Sequence, residues 1–182
     1  MFSTFNRLDV VVNNAALAVY KTLVETTVED WDTTLAVNVR ACFLTTRFAA
    51  ELLETVQGSV VNMSSVHASA TSAGAAAYAS SKGAVEALTR AAAVELALRR
   101  IRVNAVMPGA VDTSMLRQAL SGGHLAEGTA EDDKVMELGT RHPMDRVATP
   151  SEVAAVGSFW CPPTLDSLLE RPSRSMEVPW QS

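Results

Sequence analysis

Two side chains able to move a proton stand four residues apart, Tyr78 and Lys82. On a helix that interval puts both on one side. A free phenol has a pKa of about 10 and is a weak base at neutral pH, but a nearby ammonium favours the phenolate. The pair is therefore suited to general acid/base catalysis. The spacing alone is common in helices, so its weight depends on its surroundings. Those surroundings include Asn13–Asn14, Asn38, Ser64–Ser65 and the Pro108–Gly109 turn.

The elements that must position these residues show in the apolar pattern. Leu8-Asp9-Val10-Val11-Val12 is a β-branched run stopped by two asparagines, as expected of a strand buried on both faces of a parallel sheet. Gly58–Met63 and Ile101–Val106 are two further strands, the last ended by Pro108–Gly109. Helical patterns fill the intervals. Thr27 is an N-cap with Asp30 in the first turn, and Trp31, Leu35, Val39, Phe43, Ala50 and Leu53 follow at helical spacing. Trp31 and Phe43 read as core. A second helix spans Ala75–Arg99, with Val85, Leu88, Ala92 and Leu96 in one stripe. Thr149-Pro150-Ser151-Glu152 is a start signal of cap, Pro and third-position Glu. Strands alternating with long helices imply an α/β architecture, which puts Asn13, Ser65 and Pro108 at the carboxyl edge of the sheet, where ligands bind in such folds. Ser121–Lys134 is polar and glycine-containing, either a surface loop or part of a substrate lid running from Ser114 to Arg141.

Composition narrows the class. The chain has 182 residues, 48% hydrophobic and 19% charged, with a net charge of −5. That fits one globular domain and offers no basic footprint for nucleic acid. No apolar run approaches the roughly 18 residues of a membrane span, and no leader sequence is evident. Cys42 and Cys161 fit no metal spacing and read as free thiols in a reducing cytoplasm. His67, His124 and His142 are scattered, so no metal is expected.

From about Phe5 to Phe159 the order of motifs resembles the classical short-chain dehydrogenase/reductase family. Asn13-Asn14-Ala15-Ala16 is similar to its double-Asn-Ala-Gly motif, with Ala16 where glycine is usual. Asn38, Ser65, Tyr78-Ala79-Ser80-Ser81-Lys82, Pro108–Gly109 and the stretch His142–Ala154 have counterparts in the same order. The resemblance implies the carboxyl-terminal part of a Rossmann-type, doubly wound parallel sheet with helices on both faces. It also implies NAD- or NADP-dependent interconversion of a small alcohol and a ketone or aldehyde. In that reading Tyr78 is the general acid/base, Lys82 lowers its pKa and bonds the nicotinamide ribose, Ser65 polarises the carbonyl, and Asn38 holds a water in a proton relay. Ser65 is preferred to Ser64 on its distance from the tyrosine. Asn14, Ala15, Pro108, Gly109, Val111 and Thr113 join Tyr78 and Lys82 along the cofactor. Family members pair as homodimers or tetramers through two long helices, here Glu29–Glu54 and Ala75–Arg99.

Two departures qualify the likeness. The sequence opens at what resembles the family's fourth strand, so the Gly-rich phosphate-binding turn is lacking and dinucleotide binding by this chain alone is expected to be poor. After Phe159 the family's ending gives way to Trp160-Cys161-Pro162-Pro163. Reading one base earlier, Trp160-Cys161 forces Val, Leu168-Leu169-Glu170 allows Thr-Gly, Arg174-Ser175-Met176 allows Val-Asp, and Met176-Glu177 forces Gly. The expected organisation is therefore a partial family domain over 1–159 and an out-of-frame tail over 160–182. The competing reading is an inactive gene remnant or partner-binding fragment.

Overall fold

The computed structural model describes residues 7–120 and 131–161. Strands β1 (Val10–Asn13), β2 (Ser59–Met63) and β3 (Arg102–Val106) form one parallel sheet in that order. Val10 pairs with Ser59 and Asn13 with Asn62, while Ser59 pairs with Arg102 and Met63 with Val106. The β-branched runs bounded by turn formers become the strands, and β2, flanked on both sides, is almost wholly buried. Gly58 leads into β2 through a close approach: a Cβ there would lie 2.5 Å from the Asp9 carbonyl oxygen and 2.7 Å from the Leu53 side chain.

The β1–β2 crossover is built from α1 (Val28–Leu35), a π-helical turn (Ala36–Arg40) and α2 (Ala41–Glu54). The β2–β3 crossover is α3 (Ala76–Leu96), extended by a 3₁₀ turn at Ala97–Arg99. Ala49, Ala50 and Leu53 of α2 pack with Val60, Ile101 and Val103, and Ala92, Ala93 and Leu96 of α3 join them. Successive strand residues face opposite sides. Arg102 therefore points away from the Val103 face, and its guanidinium meets the Trp160 carbonyl at 2.7 Å. The end of the last helix accordingly lies on the second face, giving helices on both sides.

Thr27 closes a capping box with Asp30, and Thr149 closes one with Glu152 ahead of the last helix (Pro150–Phe159). Two expectations need correction. Phe43, read as core, is 44% exposed, and Trp31 is only partly buried. The inward stripe is instead Thr34, Asn38, Cys42, Thr46, Ala49, Ala50 and Leu53. Small and polar side chains let the helices approach, and the π turn shifts the helical phase that simple spacing assumes. The polar stretch expected as a loop to Lys134 is already helical from Glu131, within a helix spanning Glu131–Thr140. Residues 121–130, the middle of the expected lid, and nearly all of the expected tail lie outside the described residues.

Candidate active site

The first turn of α3 carries Tyr78 and the second Lys82, both buried. Ser65 ends the loop after β2 and caps a 3₁₀ turn at Val66–Ala68. The structure brings Ser65 within hydrogen-bonding influence of the Tyr78 phenol, while Ser64 turns to the Lys82 carbonyl and Glu86, each at 3.1 Å. The Lys82 ammonium stands 5.4 Å from the Tyr78 ring centroid and donates to the Met63 carbonyl at 2.7 Å. An ammonium has three donors, so Lys82 retains two beyond that bond.

Electrostatically, burial sets the state of this cluster. It pushes the Tyr78 phenol above its ordinary value, against the Ser65 hydrogen bond, which pulls it down. Burial pushes the Lys82 ammonium below its ordinary value. In this arrangement the phenol is held protonated. The cation lies over the ring and does not hydrogen-bond the phenol oxygen.

Asn38 occupies the π turn with its side chain almost fully enclosed. Its Oδ1 accepts from the Leu17 N–H at 2.7 Å, and its Nδ2 donates to the Leu17 carbonyl and to Ser81 Oγ, both at 2.8 Å. Ser81 Oγ in turn donates to the Tyr78 carbonyl at 2.7 Å. The carboxamide thus fastens the chain beyond β1 to the base of α3. A relay water at Asn38 would fall to its main-chain carbonyl, which the Cys42 thiol reaches at 3.0 Å.

Asn14 and Ala15, just beyond the carboxyl end of β1, are exposed. Pro108 and Gly109 follow β3, and the Pro108 carbonyl accepts from the Val66 N–H at 3.1 Å, tying this turn to the Ser65 turn. Val111 bridges to Ala148, and Thr113 caps the short helix Ser114–Ala119, named α4. No atom lies within 4 Å of a Cβ built on Gly109, so the space there is open. Asn14 and Ala15, Ser65, and Pro108 and Gly109 thus follow the carboxyl ends of the three strands, and Lys82 is bonded to the last residue of β2. The two unspent donors of Lys82 and the open space at Gly109 fit the nicotinamide ribose half of a dinucleotide.

Sequence reasoning missed several neighbours. Thr45 Oγ1 donates to Asn13 Oδ1 at 2.7 Å, Asn13 Nδ2 to Asn62 Oδ1 at 2.7 Å, and Asn62 Nδ2 to Thr89 Oγ1 at 2.9 Å. This polar ladder crosses from α2 through both strands to α3. A lone Asn in the β-branched run of β2 was its only signal. His67 meets the Tyr78 ring edge-on at 5.6 Å, and Tyr20 is half-buried near enough to respond to the Tyr78 charge. Cys42, buried beside Lys82, also gave no signal in the sequence. Among the described residues no group of His, Cys, Asp and Glu could hold a metal, and no helix is long and apolar enough to cross a membrane.

Comparison with known proteins agrees with this geometry. The family model described as enoyl-(acyl carrier protein) reductase matches residues 1–166. A cyclopentanol dehydrogenase of Comamonas testosteroni is 45% identical over 116 residues, covering 63% of this chain and 46% of that protein. Carbonyl reductase [NADPH] 2 of Sus scrofa is 38% identical over 148 residues, covering 80% and 57%. Ligand-free aldohexose dehydrogenase of Thermoplasma acidophilum superposes with a TM-score of 0.81 at 32% identity, over 87% of this chain and 62% of its own. ElxO with NADP bound gives 0.75 at 30% identity, over 88% and 62%. The chain belongs to the short-chain dehydrogenase/reductase family, a family of oxidoreductases, with the Rossmann-like fold of its structural neighbours. It spans about half the length of the curated relatives it matches.

Proposed function

We propose that this chain carries the proton-transfer half of an NAD(P)-dependent interconversion of a small alcohol and a carbonyl compound. The observation that supports it is the convergence of Ser65, Tyr78 and Lys82 at the carboxyl edge of a parallel sheet. Relatives named as cyclopentanol dehydrogenase and carbonyl reductase point to the same class of substrate. The nicotinamide supplies or accepts the hydride when bound. The protein's share is to hold the substrate oxygen between the Ser65 and Tyr78 hydroxyls and to move one proton through Tyr78. In reduction the phenol gives its proton to the developing alkoxide. In oxidation the phenolate takes the proton from the alcohol, and Lys82 must then favour that anion. Lys82 has donors left for a ribose hydroxyl, and Asn14, Ala15, Pro108, Gly109, Val111 and Thr113 line the remaining approach.

The test is a fluorescence titration of the purified chain with NADH and NADPH, followed by an assay for cyclopentanol-dependent reduction of NAD⁺ and NADP⁺. Weak but saturable binding, with turnover, is expected. Absence of both would overturn the reading and leave an inactive remnant or partner-binding fragment.

A further inference from the structure

Beside Ser65 stands a second serine that the proton transfer leaves unused. Ser64 is almost wholly buried between the end of β2 and α3. Its N–H donates to the Val106 carbonyl at 2.8 Å, continuing the β2–β3 ladder by one residue. Its Oγ lies 3.1 Å from the Lys82 carbonyl and 3.1 Å from Glu86 Oε1. A hydroxyl carries one hydrogen, so the two acceptors share a single donor and hold it facing both. The Glu86 side chain is 17% exposed, and its other oxygen faces Arg90 at 3.9 Å. A carboxylate is the stronger acceptor of the two, which makes Glu86 the anchor of this hydroxyl.

The same two segments are bonded in the opposite direction. Lys82 Nζ donates to the carbonyl of Met63, the residue before Ser64, at 2.7 Å. Strand end and helix therefore hold each other twice, ammonium on strand carbonyl and hydroxyl on helix carbonyl. Ser65 is the next residue along, and Tyr78 lies one turn before Lys82 on α3. Beyond Ser65, the Val66 N–H is fixed on the Pro108 carbonyl at 3.1 Å. Ser65 is thus carried between two pinned neighbours, and Ser64 ties that segment to the helix bearing Tyr78. Such spacing matters to catalysis, since a misplacement of about 1 Å can cost about 100-fold in rate.

We propose that Ser64, anchored by Glu86, is a positioning residue: it sets the Ser65 hydroxyl against the Tyr78 phenol without touching substrate or cofactor itself. This rests on the proposed alcohol–carbonyl reaction at Tyr78. The hydrogen bond with Ser65, which pulls the phenol pKa down against burial, depends on the same spacing.

The experiment is a double-substitution cycle on the full chain, assayed with cyclopentanol and with NAD⁺ and NADP⁺. Ser64→Ala removes the hydroxyl, and Glu86→Leu removes its anchor. Ser64→Ala should lower kcat about tenfold, the scale of one neutral hydrogen bond, with KM little changed. The double variant should lose no more than Ser64→Ala alone, because Glu86 acts through Ser64. An undiminished kcat in Ser64→Ala overturns the proposal, as do losses that multiply in the double variant. Should the unmodified chain turn over no alcohol, the reaction at Tyr78 fails by itself, and ¹³C-tyrosine spectra then test Ser64 directly. The chain has two tyrosines, Tyr20 and Tyr78, and the Cζ resonance of a phenol follows hydrogen bonding at its oxygen. Ser65→Ala should move the Tyr78 resonance, and Ser64→Ala should move it the same way with circular dichroism unchanged. Glu86→Leu, at a partly exposed position, should give the same shift if Ser64→Ala fails to fold. A Tyr78 resonance that only Ser65→Ala moves, or that neither serine variant moves, overturns the proposal.

Discussion

The phenol of Tyr78 carries the sharpest consequence at the scale of single residues. Tyr78→Phe keeps the ring that His67 and Lys82 touch and deletes only the proton. Turnover should fall by about 10²–10⁴-fold, the usual weight of a general acid/base, with circular dichroism unchanged. Loss of the helical signal would instead assign the hydroxyl a structural role. In the proposed mechanism Lys82 would act through its charge, which a pH profile reads. Alcohol oxidation needs the phenolate, and burial raises the Tyr78 pKa, so the rate should climb with pH. Lys82→Met removes a cation that favours the phenolate, so the climb should move to higher pH. A profile that keeps its position would show that Lys82 does not act on the phenol. Tyr78, Lys82 and Ser65 could be nominated from the sequence because motif order survives without coordinates. His67, Tyr20 and Cys42 were silent, because their place beside the cluster comes from which ring or ammonium they meet across the fold. No spacing rule contains that information.

Among elements, the strands and α3 were legible to within a few residues, since β-branched runs and a long amphipathic stretch each have one natural reading. The α1–α2 region was not. A hydrophobic stripe at helical spacing assumes unbroken phase, and the π turn at Ala36–Arg40 breaks it. The turn brings in a row of Thr34, Asn38, Cys42 and Thr46 that no hydrophobicity rule would nominate. Likewise the Thr45–Asn13–Asn62–Thr89 ladder pins two helices to two strands through hydrogen bonds invisible in the sequence. Asn62 is 1% exposed, and Asn62→Leu would strand the amide of Asn13 and lose the bond to Thr89. Stability should drop by about 1–3 kcal/mol, measured as the shift in urea midpoint at constant slope. An unshifted midpoint would mean that solvent satisfies both partners. The last helix offers an electrostatic counterpart. Glu152, bonded by Arg146 and by the Thr149 cap, has its pKa held down to about 2 from 4.5. Its contribution is therefore present above its ordinary pKa and lost as pH falls through about 2. Glu152→Gln should flatten the acid limb of the melting temperature against pH; a limb as steep as before would place the acid sensitivity elsewhere.

At the scale of the whole molecule, the large apolar side chains that α2 does not bury call for a partner, and we propose a second copy of this chain. Phe43 and Leu44 are partly exposed, Phe48 is 71% exposed, and Arg47 lies over the Phe48 ring at 5.7 Å. Val94 and Leu98, at the far end of the α3 crossover, are exposed at 77% and 97%. These are the two crossover helices through which the family resemblance implies pairing. A twofold contact uses the same patch from both copies, so one substitution counts twice. Burying a Phe is worth at least about 1.5 kcal/mol, so Phe48→Glu in both copies should cost about 3 kcal/mol before charge repulsion is added. That corresponds to a dissociation constant weakened by about two orders of magnitude. Sedimentation equilibrium should show a concentration-dependent dimer for the unmodified chain and mostly monomer for the variant, with the helical signal equal in the two. A chain that sediments as a monomer at all concentrations would remove the paired helices from the account. It would also leave the Ser65–Tyr78–Lys82 cluster untouched, since none of those three side chains lies on the exposed face of α2.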